Sequence, residues 1–193
     1  MNGRFRNEKA RLATILWCTL LTVLGQAQLP AASFAQKIVE IKMTSTPDGS
    51  KMFFDPIGVH IDPGDTIRWV QIRDYHSVAA YHPDNDNHPL RIPENAKPWD
   101  SGVLLGEYPE SHSTFEHTFV IEGVYDYYCS PHERAGMVGR IIVGKPVIGP
   151  GTKPFDDVPE KKWKSVPSAA QKQFPAIEDI ISKGMVRLPE ASE

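Results

Sequence analysis

Cys129, His132 and Met137 bring a thiol, an imidazole and a thioether within nine positions, in the run Tyr127-Tyr-Cys-Ser-Pro-His-Glu-Arg-Ala-Gly-Met-Val-Gly139. Thiolate and thioether are soft donors that favour Cu(I), while imidazole with thiolate also accepts Cu(II). The set therefore suits a copper ion that passes between two oxidation states. The spacing Cys-x2-His-x4-Met fits one loop folded over one metal. A trigonal copper site wants a second histidine, which so short a loop cannot add without strain, and His76 is the candidate. Structural zinc usually takes four Cys/His ligands, and only one thiol is on offer here.

Such a loop needs a rigid frame, and the flanking sequence has the character of short strands. Lys37 to Met43 alternates, with Ile38, Glu40 and Lys42 against Val39, Ile41 and Met43. Two further strands, 59–61 and 66–72, flank Asp62-Pro-Gly-Asp65, a turn with Pro and Gly where turn geometry wants them. From Thr114 to Ile121 one face carries Phe115, His117, Phe119 and Ile121. Glu122-Gly123 then turns the chain into a strand from Val124 to Cys129, and 140–143 closes the set. Many short strands with Gly/Pro turns predict an all-β fold, a β-sandwich whose loops gather at two ends. His76, Cys129 and Met137, each at a strand end, would then meet at one pole.

The run Gly123 to Val143 closely resembles the copper loop and flanking strands of plastocyanin and pseudoazurin, members of the cupredoxin family. Val59 to Val70, followed by Asp74-Tyr-His-Ser-Val78, resembles the strand that leads to the first histidine of that family. The resemblance covers roughly residues 37–144. It implies a cupredoxin-like Greek-key sandwich and one copper held by His76, Cys129 and His132, with Met137 weak and axial. It further implies that His132 lies at the surface in an apolar patch where a partner docks. Pro131, Ala135, Gly136 and Val138 fit such a patch, and Glu133 and Arg134 would be its charged rim. Three features depart from the pattern. Ser77 stands where the relatives have an asparagine that ties the two ligand loops together, Tyr75 stands where plastocyanin has proline, and the segment from Ala80 to Ser113 is long. Despite His82, His88 and His112, the composition of that segment reads as a solvated loop that shapes the copper end, not as a second metal site.

Residues 1–35 read as an export signal: Arg4, Arg6, Lys9 and Arg11 precede an apolar run from Leu12 to Leu24, and small residues follow. Cleavage after Ala35 fits best, with Ala27 as the alternative. Export leaves Cys129 as the one cysteine of the mature chain, and metal binding explains a lone thiol in an oxidising compartment. The full chain of 193 residues carries a net charge of −3, of which the signal contributes +3, so the mature protein sits near −6. That acidity lies in 36–144 and its border, and it argues against nucleic acid as a partner. The tail, 145–193, opens as a Pro/Gly linker and then shows two short helices, Ser168 to Phe174 and Ala176 to Lys183, each introduced by proline. The stripe Ile177, Ile180 and Ile181 suggests a clip against the parent domain.

The expected protein is a monomeric periplasmic or otherwise extracytoplasmic one-electron carrier. It would serve donor and acceptor proteins, have no enzymatic chemistry of its own and make no stable membrane insertion after processing. A copper-binding protein for delivery or sensing, without redox cycling, is the alternative. Copper oxidases and nitrite reductases need further histidine-built copper sites, and this chain lacks the His-x-His pairs they would use.

Overall fold

The computed structural model describes residues 36–105, 113–156 and 163–189, so the export signal expected at 1–35 lies outside the described residues. Eleven short strands and two helices follow one another in the described chain. The first sheet contains β1 (Ile38–Ser45), β2 (Met52–Asp55), β4 (Thr66–Gln71) and β8 (Thr114–Thr118), in the order β2-β1-β4-β8. The second contains β3 (Gly58–Ile61), β6 (Ala79–Ala80), β9 (Gly123–Tyr128), β10 (Val138–Val143) and β11 (Met185–Val186), in the order β11-β3-β10-β9-β6. A small ribbon pairs β5 (Tyr75–His76) with β7 (Leu104–Leu105). Each large sheet has one parallel pair, β1 with β4 and β3 with β10, and is otherwise antiparallel.

Period-two patterning decides which side chains go inside. In β1, Ile41 and Met43 are buried while Glu40 and Lys42 face water, as the alternation predicts. The turn before β4 works through Gly64, at φ 100°, and through the Asp65 carboxylate, which accepts the N–H groups of Asp62 at 3.1 Å and Lys37 at 2.9 Å. One side chain thus ties the turn to the start of β1. Ile41, Phe54, Ile67 and Trp69 from one sheet share a core with Val59, Tyr125, Tyr127 and Ile141 from the other, which is the packing of a sandwich.

The second sheet is covered on its outer face as well. Every residue of β9 and β10 is buried, a pattern expected of strands packed on both sides. The outer cover is the tail. Helix α1 (Ser168–Gln173) sets Ala170, with Val166 and Phe174, against Tyr81, Tyr128 and Val138. Helix α2 (Ile177–Lys183) sets Ile180 and Ile177 against Val124 and Ile142. Both helices start after proline as the sequence predicts, and α2 stops at Gly184, at φ 73°. Acidic Glu178 and Asp179 lie in its first turn and Lys183 in its last, the arrangement that suits a helix dipole. The apolar stripe is narrower than expected: Ile177 and Ile180 pack, but Ile181 remains 41% exposed. Gly58 shows how close the tail sits, because a Cβ there would stand 2.8 Å from Ile180 and Pro175.

The tail is also held by charge. Asp126, fully buried in β9, receives Arg91 Nε at 2.8 Å and Arg140 Nε at 2.7 Å. Their remaining N–H groups reach past the sheet, from Arg91 to the carbonyls of Gly151 and Lys153 and from Arg140 to that of Pro175. Phe155 lies under the Arg91 guanidinium at 3.9 Å.

The segment after β6 differs from the solvated loop that its composition suggests. Tyr81 and Ile92 are fully buried, Trp99 is 5% exposed and His88 is 3% exposed. Asn85 explains the folding-in: its side-chain amide donates to the carbonyls of Ala80 at 2.8 Å and Trp99 at 2.9 Å, closing the segment on itself. Residues 106–112, which include His112, lie outside the described residues.

Candidate metal centre

Cys129 leaves the end of β9 in a tight loop. Its N–H donates to the Met137 carbonyl at 3.0 Å, and its carbonyl accepts the N–H of His132 at 3.0 Å. The His132 carbonyl then accepts from Ala135 at 3.0 Å and Met137 at 3.1 Å, around a 3-10 turn at Glu133–Ala135. The turn ends at Gly136, at φ 92°, a conformation that favours glycine. These main-chain bonds set the path of the loop that carries Cys129, His132 and Met137.

His76 comes from the other side of the pole, at the end of β5. The preceding Asp74 has φ 61°, and it is held there by the Ser45 hydroxyl on its carboxylate and the Gln71 amide on its carbonyl. Ser77 then joins the two loops. Its hydroxyl accepts the Ser130 N–H at 2.8 Å, and its own N–H points at Cys129 Sγ at 3.4 Å.

Three donor atoms converge. His76 Nδ1 and His132 Nδ1 stand 3.2 Å apart, and Cys129 Sγ lies 3.7 Å from the first and 3.5 Å from the second. Bonds of ~2.0 Å to nitrogen and ~2.3 Å to sulfur, as first-row metals make, would separate trigonal ligands by roughly 3.5 to 3.8 Å. The residues therefore fit one metal ion with small adjustment. All three side chains are buried, and His132 keeps 8% of its surface exposed.

Protonation fits the same reading. Burial, and then the neighbouring His132, bring the His76 imidazole down to about 4, and burial lowers His132 as well. Both rings are neutral at neutral pH and offer lone pairs. Burial pushes the Cys129 thiol up to about 11, so the metal-free site holds a protonated thiol. Metal binding at this cysteine would release that proton. Met137 is fully buried in the same apolar cluster as Cys129.

The patch around His132 differs from expectation. Pro131 and Ala135 are exposed, but Gly136 and Val138 are buried, with Gln173 and Ala169 of α1 over Gly136. Apolar surface comes instead from Tyr75, 51% exposed with its ring 5.3 Å from that of His132, and from Leu105 opposite it in the ribbon. Arg134 is exposed as predicted of a rim. Glu133 is not, because its carboxylate turns inward to Tyr81 and His88. Sequence reasoning missed this contact, for which an acidic residue in a loop gives no signal.

A β-sandwich with cysteine and two histidines gathered at one pole, one of them from a separate loop, is the arrangement of a cupredoxin. Residues 40–144 match the family described as copper binding proteins, plastocyanin/azurin family, and the chain belongs to that family. It is 34% identical over 138 residues to the plastocyanin of Synechococcus sp. (strain JA-2-3B'a(2-13)), covering 71% of this chain and 95% of that one. It is 32% identical over 127 residues to the pseudoazurin of Methylorubrum extorquens, covering 64% of this chain and 72% of that protein. Among solved structures, a pseudoazurin from Sinorhizobium meliloti superposes with a TM-score of 0.50 at 27% identity, over 78% of this chain and 99% of that one. Copper is accordingly the metal that this site takes.

Proposed function

We propose that the protein is an extracytoplasmic one-electron carrier whose copper is held by His76 Nδ1, His132 Nδ1 and Cys129 Sγ, with the Met137 thioether as a weak axial donor. The observation that carries this is the convergence of three buried donor atoms, 3.2 to 3.7 Å apart, on two loops tied by Ser77. Bound copper supplies a one-electron change between Cu(I) and Cu(II). The protein's part is to keep the donors in place while that charge changes. Loops fixed by main-chain bonds to a sandwich core move little, which keeps the reorganisation cost low.

Partner proteins fit the exposed edge of His132, with Tyr75, Leu105, Pro131 and Ala135 as close-approach surface and Arg134 beside it. Residues 1–35 would direct export, 36–144 form the copper domain, and 145–193 brace its outer sheet. Among the described residues no helix is long and apolar enough to cross a membrane. The plastocyanin and pseudoazurin relatives support redox partner proteins, and with them a carrier without substrate chemistry.

Purified protein loaded with Cu(II) should show an intense visible thiolate-to-copper band and a reversible one-electron potential. Cys129→Ser should abolish the band, and Met137→Leu should keep copper while raising the potential. A band retained in Cys129→Ser would overturn the ligand assignment. Copper that binds but does not cycle would overturn the carrier reading.

A further inference from the structure

Glu133 follows His132 directly, in an exposed turn where a carboxylate ordinarily faces water. Its side chain is only 12% exposed. Tyr81 donates its hydroxyl to Glu133 Oε1 at 2.7 Å, and His88 Nε2 lies 3.2 Å from Oε2. On the far side of the ring, His88 Nδ1 is 2.8 Å from the Asn85 carbonyl and 3.1 Å from the Tyr128 hydroxyl. A carboxylate only accepts, so the Nε2 that faces Glu133 carries hydrogen. His88 is thus a buried donor to the Glu133 carboxylate. Its support is rigid, since Asn85 is bound to Ala80 and Trp99, and the His88 ring packs on Tyr128 at 4.3 Å, one residue before Cys129.

We propose that Tyr81 and His88 clamp Glu133 as a positioning residue of the copper loop, fixing the turn between His132 and Met137 and with it the geometry of the bound copper. Glu133 opens that turn: its carbonyl accepts the Gly136 N–H at 2.9 Å. Pulling its side chain inward holds the turn against the sandwich from within, while α1 holds Gly136 from outside. Tyr81, His88 and Glu133 touch no donor atom of the site, so the clamp acts through the loop alone. The proposal rests on the ligand assignment above.

The test uses the full exported protein, copper-loaded, in the wild type and in Glu133→Ala, Glu133→Gln and Tyr81→Phe. Glu133→Ala should bind one copper per chain yet shift the position and intensity ratio of the visible bands and slow electron self-exchange several-fold. Glu133→Gln should restore most of both, because an amide oxygen still accepts from Tyr81 and the amide nitrogen can donate to a neutral His88. If Glu133→Ala fails to fold, Tyr81→Phe removes one anchor while keeping the ring, and a smaller shift in the same direction is expected. Wild-type bands and self-exchange in either folded variant, even with a lowered melting temperature, would overturn the clamp and leave Glu133 merely structural. Glu133→Gln as disturbed as Glu133→Ala would overturn it too. Absence of a thiolate-to-copper band from the wild type would instead remove the ligand assignment.

Discussion

Ser77 and Ser130 lie on different loops of the copper end, and the Ser77 hydroxyl accepts the Ser130 N–H at 2.8 Å. The bond joins the two loops directly, and serine's short reach suffices because the loops come this close. The Ser77 N–H meanwhile aims at Cys129 Sγ, so one residue serves both loop and sulfur. Ser77→Ala would remove the acceptor of the Ser130 N–H, a loss of about 0.5 to 1.5 kcal/mol because Ser130 is exposed to water. We expect a lower melting temperature and an altered potential with copper content unchanged. Thermal unfolding and voltammetry on the variant check both.

Asp126 should be among the costliest side chains to remove. It is fully buried between Arg91 and Arg140, and its loss leaves two buried guanidiniums without a counter-charge. Breaking one partner out of a buried ion pair costs about 3 to 5 kcal/mol. Asp126→Asn should therefore lose stability on that scale in urea unfolding. It should also make the tail more sensitive to limited proteolysis, because both arginines hold tail carbonyls.

Stability should depend on pH through His88. Burial pushes its imidazole down, but the Glu133 carboxylate and the Asn85 carbonyl outweigh burial and leave it above the ordinary 6.5. Asp86, paired with Lys164, adds in the same direction. A histidine raised in the folded state contributes stability that is complete below the unfolded value and is lost as pH rises through the folded one. Unfolding free energy should thus fall as pH climbs above about 6.5. His88→Gln should flatten that part of the profile, and an unchanged profile would show that His88 is not its source.

Ala135 is exposed beside His132 and lies on the surface proposed for partner approach. A carboxylate there should slow electron transfer to the physiological partner while leaving the copper spectrum nearly unchanged, since Ala135 contributes only a main-chain bond to the loop. Stopped-flow rates for Ala135→Glu and wild type decide it. Equal rates at every ionic strength would mean that the electron leaves by another face.

What could be read in the sequence was what lies close along the chain. Cys129, His132 and Met137 are confined to one loop by spacing. Alternation in β1 and the proline starts of α1 and α2 are likewise local, set by backbone preference and side-chain period. Residue types alone also limited the metal, because a thiol, an imidazole and a thioether together suit copper.

Tertiary structure decided the pairings between distant residues, for which no local rule exists. The inward turn of Glu133 depends on a loop more than forty residues earlier, and the tail's grip on Asp126 depends on arginines from two separate segments. The segment after β6 looked solvated because Asp, Asn and His usually are. It folds inward because Asn85 and His88 find buried partners there that only the assembled sandwich supplies. A polar side chain announces a need for a partner, but which partner it meets is fixed by where the rest of the chain has packed.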